Sequence, residues 1–225
     1  MKKRKKTAGP CLTVIFDFDG TLADSFSAAL GTVNHLAPSF GYDPIEEKDI
    51  PMLRKMNGVQ LLKHLKLPLR RLPKMVKEAR GEIKSRMLQI TLFPGIAQVL
   101  EEIKKHGMNL GIVTSNSEAN VRNCLENNGV GERFDFIHSA PGLFGKHRLL
   151  KHLKRKLKIS ADLVVYVGDE SRDIEASHRC DIPVIAVTWG FQHRDRLVEL
   201  EPEGIAETPQ ELKDLLLTRF CKCCQ

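Results

Sequence analysis

Apolar residues along the chain fall into short unbroken runs, separated by stretches in which they recur every third or fourth position. The runs are CLTVIF (11–16), NLGIVTSN (109–116), FDFIHSA (134–140), DLVVYVGD (162–169) and PVIAVTWG (183–190). Runs of this length, apolar at most positions, predict strands of a buried parallel sheet, DLVVYVGD being the most strongly apolar. The intervening segments FPGIAQVLEEIKKHG, SEANVRNCLENNG, KHRLLKHLKRKLKI, SRDIEASHRC and PQELKDLLLTRF carry helical spacing. Pro94 falls near the start of the first of these helices and Gly107 at its stop. Ser117 is the expected N-cap of the second, and Gly129 its end.

Strands alternating with helices imply an α/β fold: a Rossmann-like, doubly wound parallel sheet covered on both faces. The alternation is interrupted once. Residues 25–37, 46–66 and 69–89 show helical periodicity and no convincing strand, which predicts a helical insert after the first strand. The expected organisation is a basic disordered arm at 1–10, a core at 11–22 and 93–220, a helical cap at 23–92 and a cysteine-rich tail at 221–225.

In an open parallel sheet, ligands bind outside the carboxyl ends of the strands. The polar residues fall there. The first strand runs into Asp17-Phe18-Asp19-Gly20-Thr21, a second ends in Thr114-Ser115-Asn116, the third is followed by a loop and Lys146, and the fourth ends in Gly168-Asp169-Glu170, with Asp173 one helical turn on. Two carboxylates two positions apart, at the tip of a buried strand, repel each other unless a cation sits between them or one stays protonated.

Phosphoryl transfer suits this set. Asp17, rigid at the strand tip, is the candidate nucleophile for an aspartyl-phosphate. Asp19, in the tight turn made by Gly20, is placed to protonate the leaving oxygen and later to take a proton from water. Thr114, the Ser115 amide, Lys146 and Gly20 form the candidate phosphate-binding side. Asp169 adds an oxygen ligand for a hard cation. Mg²⁺, with its preference for oxygen ligands and retained waters, neutralises the acidic cluster. Asp173 has two readings, a ligand or a cap for its helix. Asn116 also has two, a substrate contact or a cap for the helix that follows. Glu170 suits solvent or the helix dipole, Asp24 and Ser25 the start of the insert, and Trp189 packing in the loop after its strand.

DFDGT at 17–21, the strand-end Thr114, Lys146 and GDESRD at 168–173 resemble the four motifs of the haloacid dehalogenase-like hydrolase superfamily, over residues 12 to about 215. DFDGTLADS, FPG at 93–95 and VTWGF at 187–191 are most similar to its phosphoglycolate-phosphatase-like branch. The resemblance implies a Rossmann-like core with a mobile helical cap, Asp17 as nucleophile, and Asp19 as acid/base. It implies Mg²⁺ on Asp17, the Asp19 carbonyl and Asp169, with Asp173 in a supporting place. His147 stands where many relatives carry proline, so Lys151 is a rival to Lys146. Dehalogenases of the superfamily lack the second aspartate, and phosphonatases do not use an acid there, so Asp19 argues against both reactions. A phosphomutase uses the same core residues and is the alternative.

Charge adds little to this reading. Lys and Arg number 35 against 28 Asp and Glu, a formal net charge of +7, concentrated in MKKRKK and in the segments 54–86 and 146–158. A basic surface favours anionic ligands. Aromatic content is only 6%, and no stacking platform is visible, so nucleic acid is an unlikely partner and a small phosphorylated substrate the expected one. The basic residues of the insert, Arg54 among them, read mostly as a solvated helix face. No apolar run approaches the roughly 18 residues that span a bilayer, and the basic start lacks the apolar segment of a signal peptide. The chain therefore reads as cytoplasmic, with no membrane partner, its six cysteines reduced, and a monomer by default.

Overall fold

The computed structural model describes residues 12–86, 90–140, 145–156 and 163–220. The expected basic arm and the cysteine-rich tail lie outside the described residues. Six parallel strands form one sheet: β1 (Thr13–Phe16), β2 (Asn109–Thr114), β3 (Phe136–Ser139), β4 (Val164–Gly168), β5 (Val184–Val187) and β6 (Gly204–Ala206), in the order β3-β2-β1-β4-β5-β6. The order reverses between β1 and β4, where Phe16 pairs with Val167 and Asp17 N–H donates to the Val167 carbonyl at 2.8 Å. That is the position at which doubly wound sheets open a crevice for ligands.

Side chains alternate between two buried faces, as strand geometry requires. On one face Val14, Phe16, Ile112, Val165, Val167 and Ile185 pack against α5 (Ile96–Lys105), α6 (Glu118–Asn127) and α10 (Pro209–Leu215). On the other, Ile15, Val113, Tyr166 and Val184 pack against α7 (Gly145–Lys156) and α8 (Ser171–His178). The inner strands β1, β2, β4 and β5 are covered above and below, which is why each reads as a continuous apolar run.

Between β1 and β2 the described chain is helical: α1 (Phe26–Phe40), α2 (Ile50–Leu53), α3 (Gly58–His64) and α4 (Leu72–Arg86), with 3₁₀ turns at Glu47–Asp49 and Leu69–Arg71. These helices have an apolar cluster of their own, Leu36, Ala37, Phe40, Tyr42, Leu67 and Met75. The chain leaves the core at Ala23 and returns at Leu92, and those two residues bridge each other, so the two connections lie side by side.

Several boundaries differ from the sequence reading. The segment 46–66 is not one helix. Asn57 starts a new one through a capping box with Gln60, which splits α3 from α2. Pro94 does stand near the start of α5, which opens at Ile96 after Gly95 takes a left-handed conformation at φ 90° and turns the chain. β6 and the short α9 (Arg194–Val198) escaped the sequence reading, since three and five residues are too few for a period to show. The last helix widens into a π-helical turn over Leu216–Phe220.

Candidate active site

Four chain segments meet at the carboxyl ends of β1, β2 and β4. Asp17, the residue after β1, is buried, and its Oδ1 accepts the Phe18 N–H at 2.7 Å. Lys146, in the first turn of α7, is buried too, and its Nζ lies 2.5 Å from Asp17 Oδ2. The same ammonium donates to Asp173 Oδ1 from α8. Lys151, the rival lysine, is exposed. Lys146 is thus the lysine that the fold carries inward, with His147 following it.

Asp169, after β4, is fully buried. The Thr21 hydroxyl donates to its Oδ1 and the Phe191 N–H to its Oδ2, each at 2.7 Å. Gly20 sits against it at φ 78°, where any side chain would collide with Asp169 and Phe191. The Gly20 N–H donates to the Ala23 carbonyl at 2.9 Å, so Gly20 contributes a tight turn and close approach. Asp173 takes the capping role expected of it and also meets Lys146. Its Oδ2 accepts the Glu170 N–H at 3.1 Å as part of a capping box, while Oδ1 faces Lys146.

Carboxylate oxygens of Asp17, Asp169 and Asp173 all lie within 4.8 Å of one another. Three buried acids with one ammonium, which reaches only two of them, form a donor set that fits a divalent cation. The electrostatics agree. Burial pushes the Asp17 carboxyl up to about 7, with Lys146 pulling it down and Asp173 adding to the rise. Burial also holds Asp169 well above the ordinary carboxylate range, reinforced by Glu170, Asp173 and Asp17. Burial works against the charge on Lys146, but Asp17 and Asp173 outweigh it and raise its pKa.

Asp19 lies outside that group of three carboxylates. Its Oδ2 accepts the Asn116 side-chain amide at 3.0 Å. Burial raises its carboxyl above the ordinary value, against the pull of polar neighbours including Asn116. Asn116 in turn donates its main-chain N–H to the Thr114 hydroxyl at 3.0 Å, and Ser139 donates to its carbonyl at 2.6 Å. Thr114, buried at the end of β2, therefore joins the site through Asn116. Ser115 makes no side-chain hydrogen bond among the described residues. Ser117 Oγ caps α6 by accepting the Asn120 N–H, while Asn116 Oδ1 accepts the Ser117 N–H at 2.8 Å and its amide nitrogen holds Asp19.

Some residues of this site had no role assigned from the sequence. Thr21 stood in DFDGT, and Gly190 and Phe191 in VTWGF, but their contacts with Asp169 are set by the fold. Gln192 carried no motif, and its side chain bonds Ser171 and the Met56 carbonyl. Trp189 packs where expected, edge-on to Phe93, and its indole N–H donates to the Thr21 carbonyl at 3.1 Å. Arg54 departs from the reading of a solvated basic face: it turns inward and bonds the carbonyls of Gly190 and Phe191.

Residues 14–187 match the family model described as haloacid dehalogenase-like hydrolase. The chain belongs to that family. A phosphoglycolate phosphatase from Synechococcus elongatus is 34% identical over 88% of this chain and 94% of its own length. A pyrophosphatase from Oceanobacillus iheyensis is 25% identical over 91% of this chain and 94% of its own length. Among solved structures, a haloacid dehalogenase-like hydrolase from Streptococcus pneumoniae superposes with a TM-score of 0.77 at 22% identity, covering 92% of this chain and 99% of that one. A protein described as a predicted phosphatase from Clostridium acetobutylicum does so with a TM-score of 0.80, also at 22% identity and the same coverage. Within the family the chain is a phosphatase-type hydrolase. Among its described residues, no helix is long and apolar enough to cross a membrane.

Proposed function

We propose that this member of the family is a Mg²⁺-dependent phosphomonoesterase acting on a small phosphorylated metabolite through an aspartyl-phosphate on Asp17. The observation that carries the reading is the Lys146 ammonium shared between Asp17 and Asp173, with Asp169 inside the same 4.8 Å group. Asp17, Asp169 and Asp173 would hold the cation, which supplies the positive charge that lets an anionic nucleophile meet an anionic ester. The ordinary preference of Mg²⁺ for carboxylate oxygens supports that ion over softer ones.

The residues divide the work as follows. Asp17 Oδ attacks phosphorus, and the bond from phosphorus to the ester oxygen breaks. Asp19, held by Asn116, passes its proton to that leaving oxygen. Water then attacks the phosphorus on Asp17, Asp19 takes the proton, and the acyl-phosphate bond breaks to free inorganic phosphate and the Asp17 carboxylate. Lys146 and the Thr114 hydroxyl face the phosphoryl oxygens, with the Ser115 N–H beside them. Residues 23–92 act as a cap that closes over the ester and excludes water during the first transfer, while 11–22 and 93–220 form the catalytic core.

The similarity to a phosphoglycolate phosphatase along nearly the whole chain supports phosphoglycolate as the first substrate to try. The test is phosphate release from an aryl phosphate and from a panel of metabolite esters, with Mg²⁺ and with chelator. Asp17→Asn is expected to abolish release. Activity that persists in that variant rules out the covalent route, and phosphate returned to the substrate with no net release would make the protein a mutase.

A further inference from the structure

The acids at the centre are placed by a loop, and the loop is gripped by the insert. Asp169 Oδ2 accepts the Phe191 N–H at 2.7 Å. A methyl group on Gly190 would collide with that same oxygen and with the Gly20 carbonyl, so the loop lies in direct contact with Asp169. Gln192, which is buried, accepts both the N–H and the hydroxyl of Ser171 on Oε1, each at 2.6 Å. Ser171 is the first residue of α8, the helix that carries Asp173. Residues 190–192 thus bond Asp169 directly and hold the first residue of the helix that carries Asp173.

From the other side, Arg54 at the end of α2 donates through Nε to the Phe191 carbonyl at 3.1 Å and through Nη2 to the Gly190 carbonyl. The Arg54 carbonyl accepts the His193 N–H at 2.8 Å, and the Met56 carbonyl accepts Gln192 Nε2 at 3.0 Å. The guanidinium also stands 5.7 Å from the Phe26 ring, which meets Phe191 edge-on at 5.5 Å. Every loop residue that touches the acids is bonded to the insert. A planar fork that serves two adjacent carbonyls is specific to arginine, since an ammonium has no matching pair of parallel donors.

We propose that Arg54 and Gln192 are positioning residues that lock the 190–193 loop when the insert is docked, and so set Asp169 and Asp173 for the cation. Docking of the insert and binding of the cation then favour each other, and the coupling runs equally in both directions. This rests on the reading of the three aspartates as the cation site. Residues that orient the ligands of a metal commonly change its affinity 10- to 100-fold when removed.

The experiment is calorimetric titration of the full chain with Mn²⁺ alone, without substrate, on the wild type, Arg54→Ala, Arg54→Lys, Gln192→Leu and Asp195→Asn, with circular dichroism to verify folding. Arg54→Ala and Gln192→Leu are expected to weaken binding about 10-fold. Arg54→Lys recovers little of that loss. Asp195→Asn weakens two exposed side-chain contacts, 3.5 Å to Lys55 and 3.3 Å to His193 Nδ1, without touching the hydrogen bonds of residues 190–192, and it leaves the affinity unchanged. In the wild type, saturating Mg²⁺ slows amide hydrogen exchange at His193 and across residues 50–61, and this needs no variant to fold. Arg54 and Gln192 variants that bind Mn²⁺ like the wild type overturn the proposal. So does an Asp195→Asn loss as large as that of Arg54→Ala, or wild-type exchange in 50–61 that ignores Mg²⁺ while the ion binds. A wild type that binds neither ion overturns the cation site, and this inference with it.

Discussion

Lys146 Nζ lies 2.5 Å from Asp17 Oδ2, and both side chains are almost fully withdrawn from water. A buried ion pair of this kind is weak evidence for stability, because desolvation offsets its attraction, but breaking one half of it is costly. Lys146→Met leaves Asp17 and Asp173 facing each other without their shared ammonium. The expected outcome is a loss of about 3–5 kcal/mol in urea unfolding of the metal-free protein at neutral pH. Turnover of an aryl phosphate falls about 10²–10³-fold as well.

Asn116 tests the second pair in the site. Its amide is the side-chain hydrogen bond that fixes Asp19 Oδ2. A hydrogen bond to a charged group contributes about 1.5–3 kcal/mol. Asn116→Ala is therefore expected to lower kcat about 10- to 100-fold with KM little changed, because the lost contact orients an acid rather than binding substrate. Asn116→Asp is worse, since it sets two carboxyls against each other. Steady-state kinetics on the two variants decides this, and a change confined to KM would contradict it.

The raised carboxyl of Asp17 has a sign that can be measured. Its pKa is about 7 in the folded chain against an ordinary value of 3.8. The folded state therefore holds this proton more tightly than the unfolded state. The contribution to stability is fully present below about pH 4 and is lost as pH rises through 7. In chelator, thermal melts of the wild type are expected to fall more steeply between pH 5 and 7.5 than those of Asp17→Asn, which has no proton to lose. Saturating Mg²⁺ flattens the wild-type curve. Identical pH slopes for the two proteins in chelator would refute this.

Gly190 offers a steric test with a built-in control. A Cβ there meets Asp169 and the Gly20 carbonyl, both of which are held by other contacts. Gly190→Ala is expected to destabilise by about 1–3 kcal/mol, the usual range for overpacking, and to abolish phosphatase activity. Gly58 has open space around its Cβ position and no strained φ. Gly58→Ala is expected to change stability by less than about 1 kcal/mol and leave activity intact. Melts and rates of the two variants side by side distinguish local steric conflict from a general intolerance of alanine.

The pattern of apolar runs was enough to determine the parallel sheet and the interruption after its first strand. Central strands are buried on both faces and so carry unbroken apolar stretches, while the insert carries none. The acids of the site were legible for a related reason: they stand directly after those strands, where a parallel sheet puts all its carboxyl ends on one edge. Local spacing determined little else. It joined α2 and α3 across Asn57, because a capping box interrupts a helix without disturbing the apolar period. It passed over β6, whose three residues become a strand only because β5 lies beside them.

Tertiary structure alone decided which polar side chains face one another. Asp173 reaches Lys146 from a segment that lies 27 residues further along the chain. Arg54 reaches the Gly190–Phe191 carbonyls across 136 and 137 positions. A hydrogen bond depends on angles and on distances of a few tenths of an ångström. Those are set by how helices pack on a sheet, and no spacing along a sequence records them.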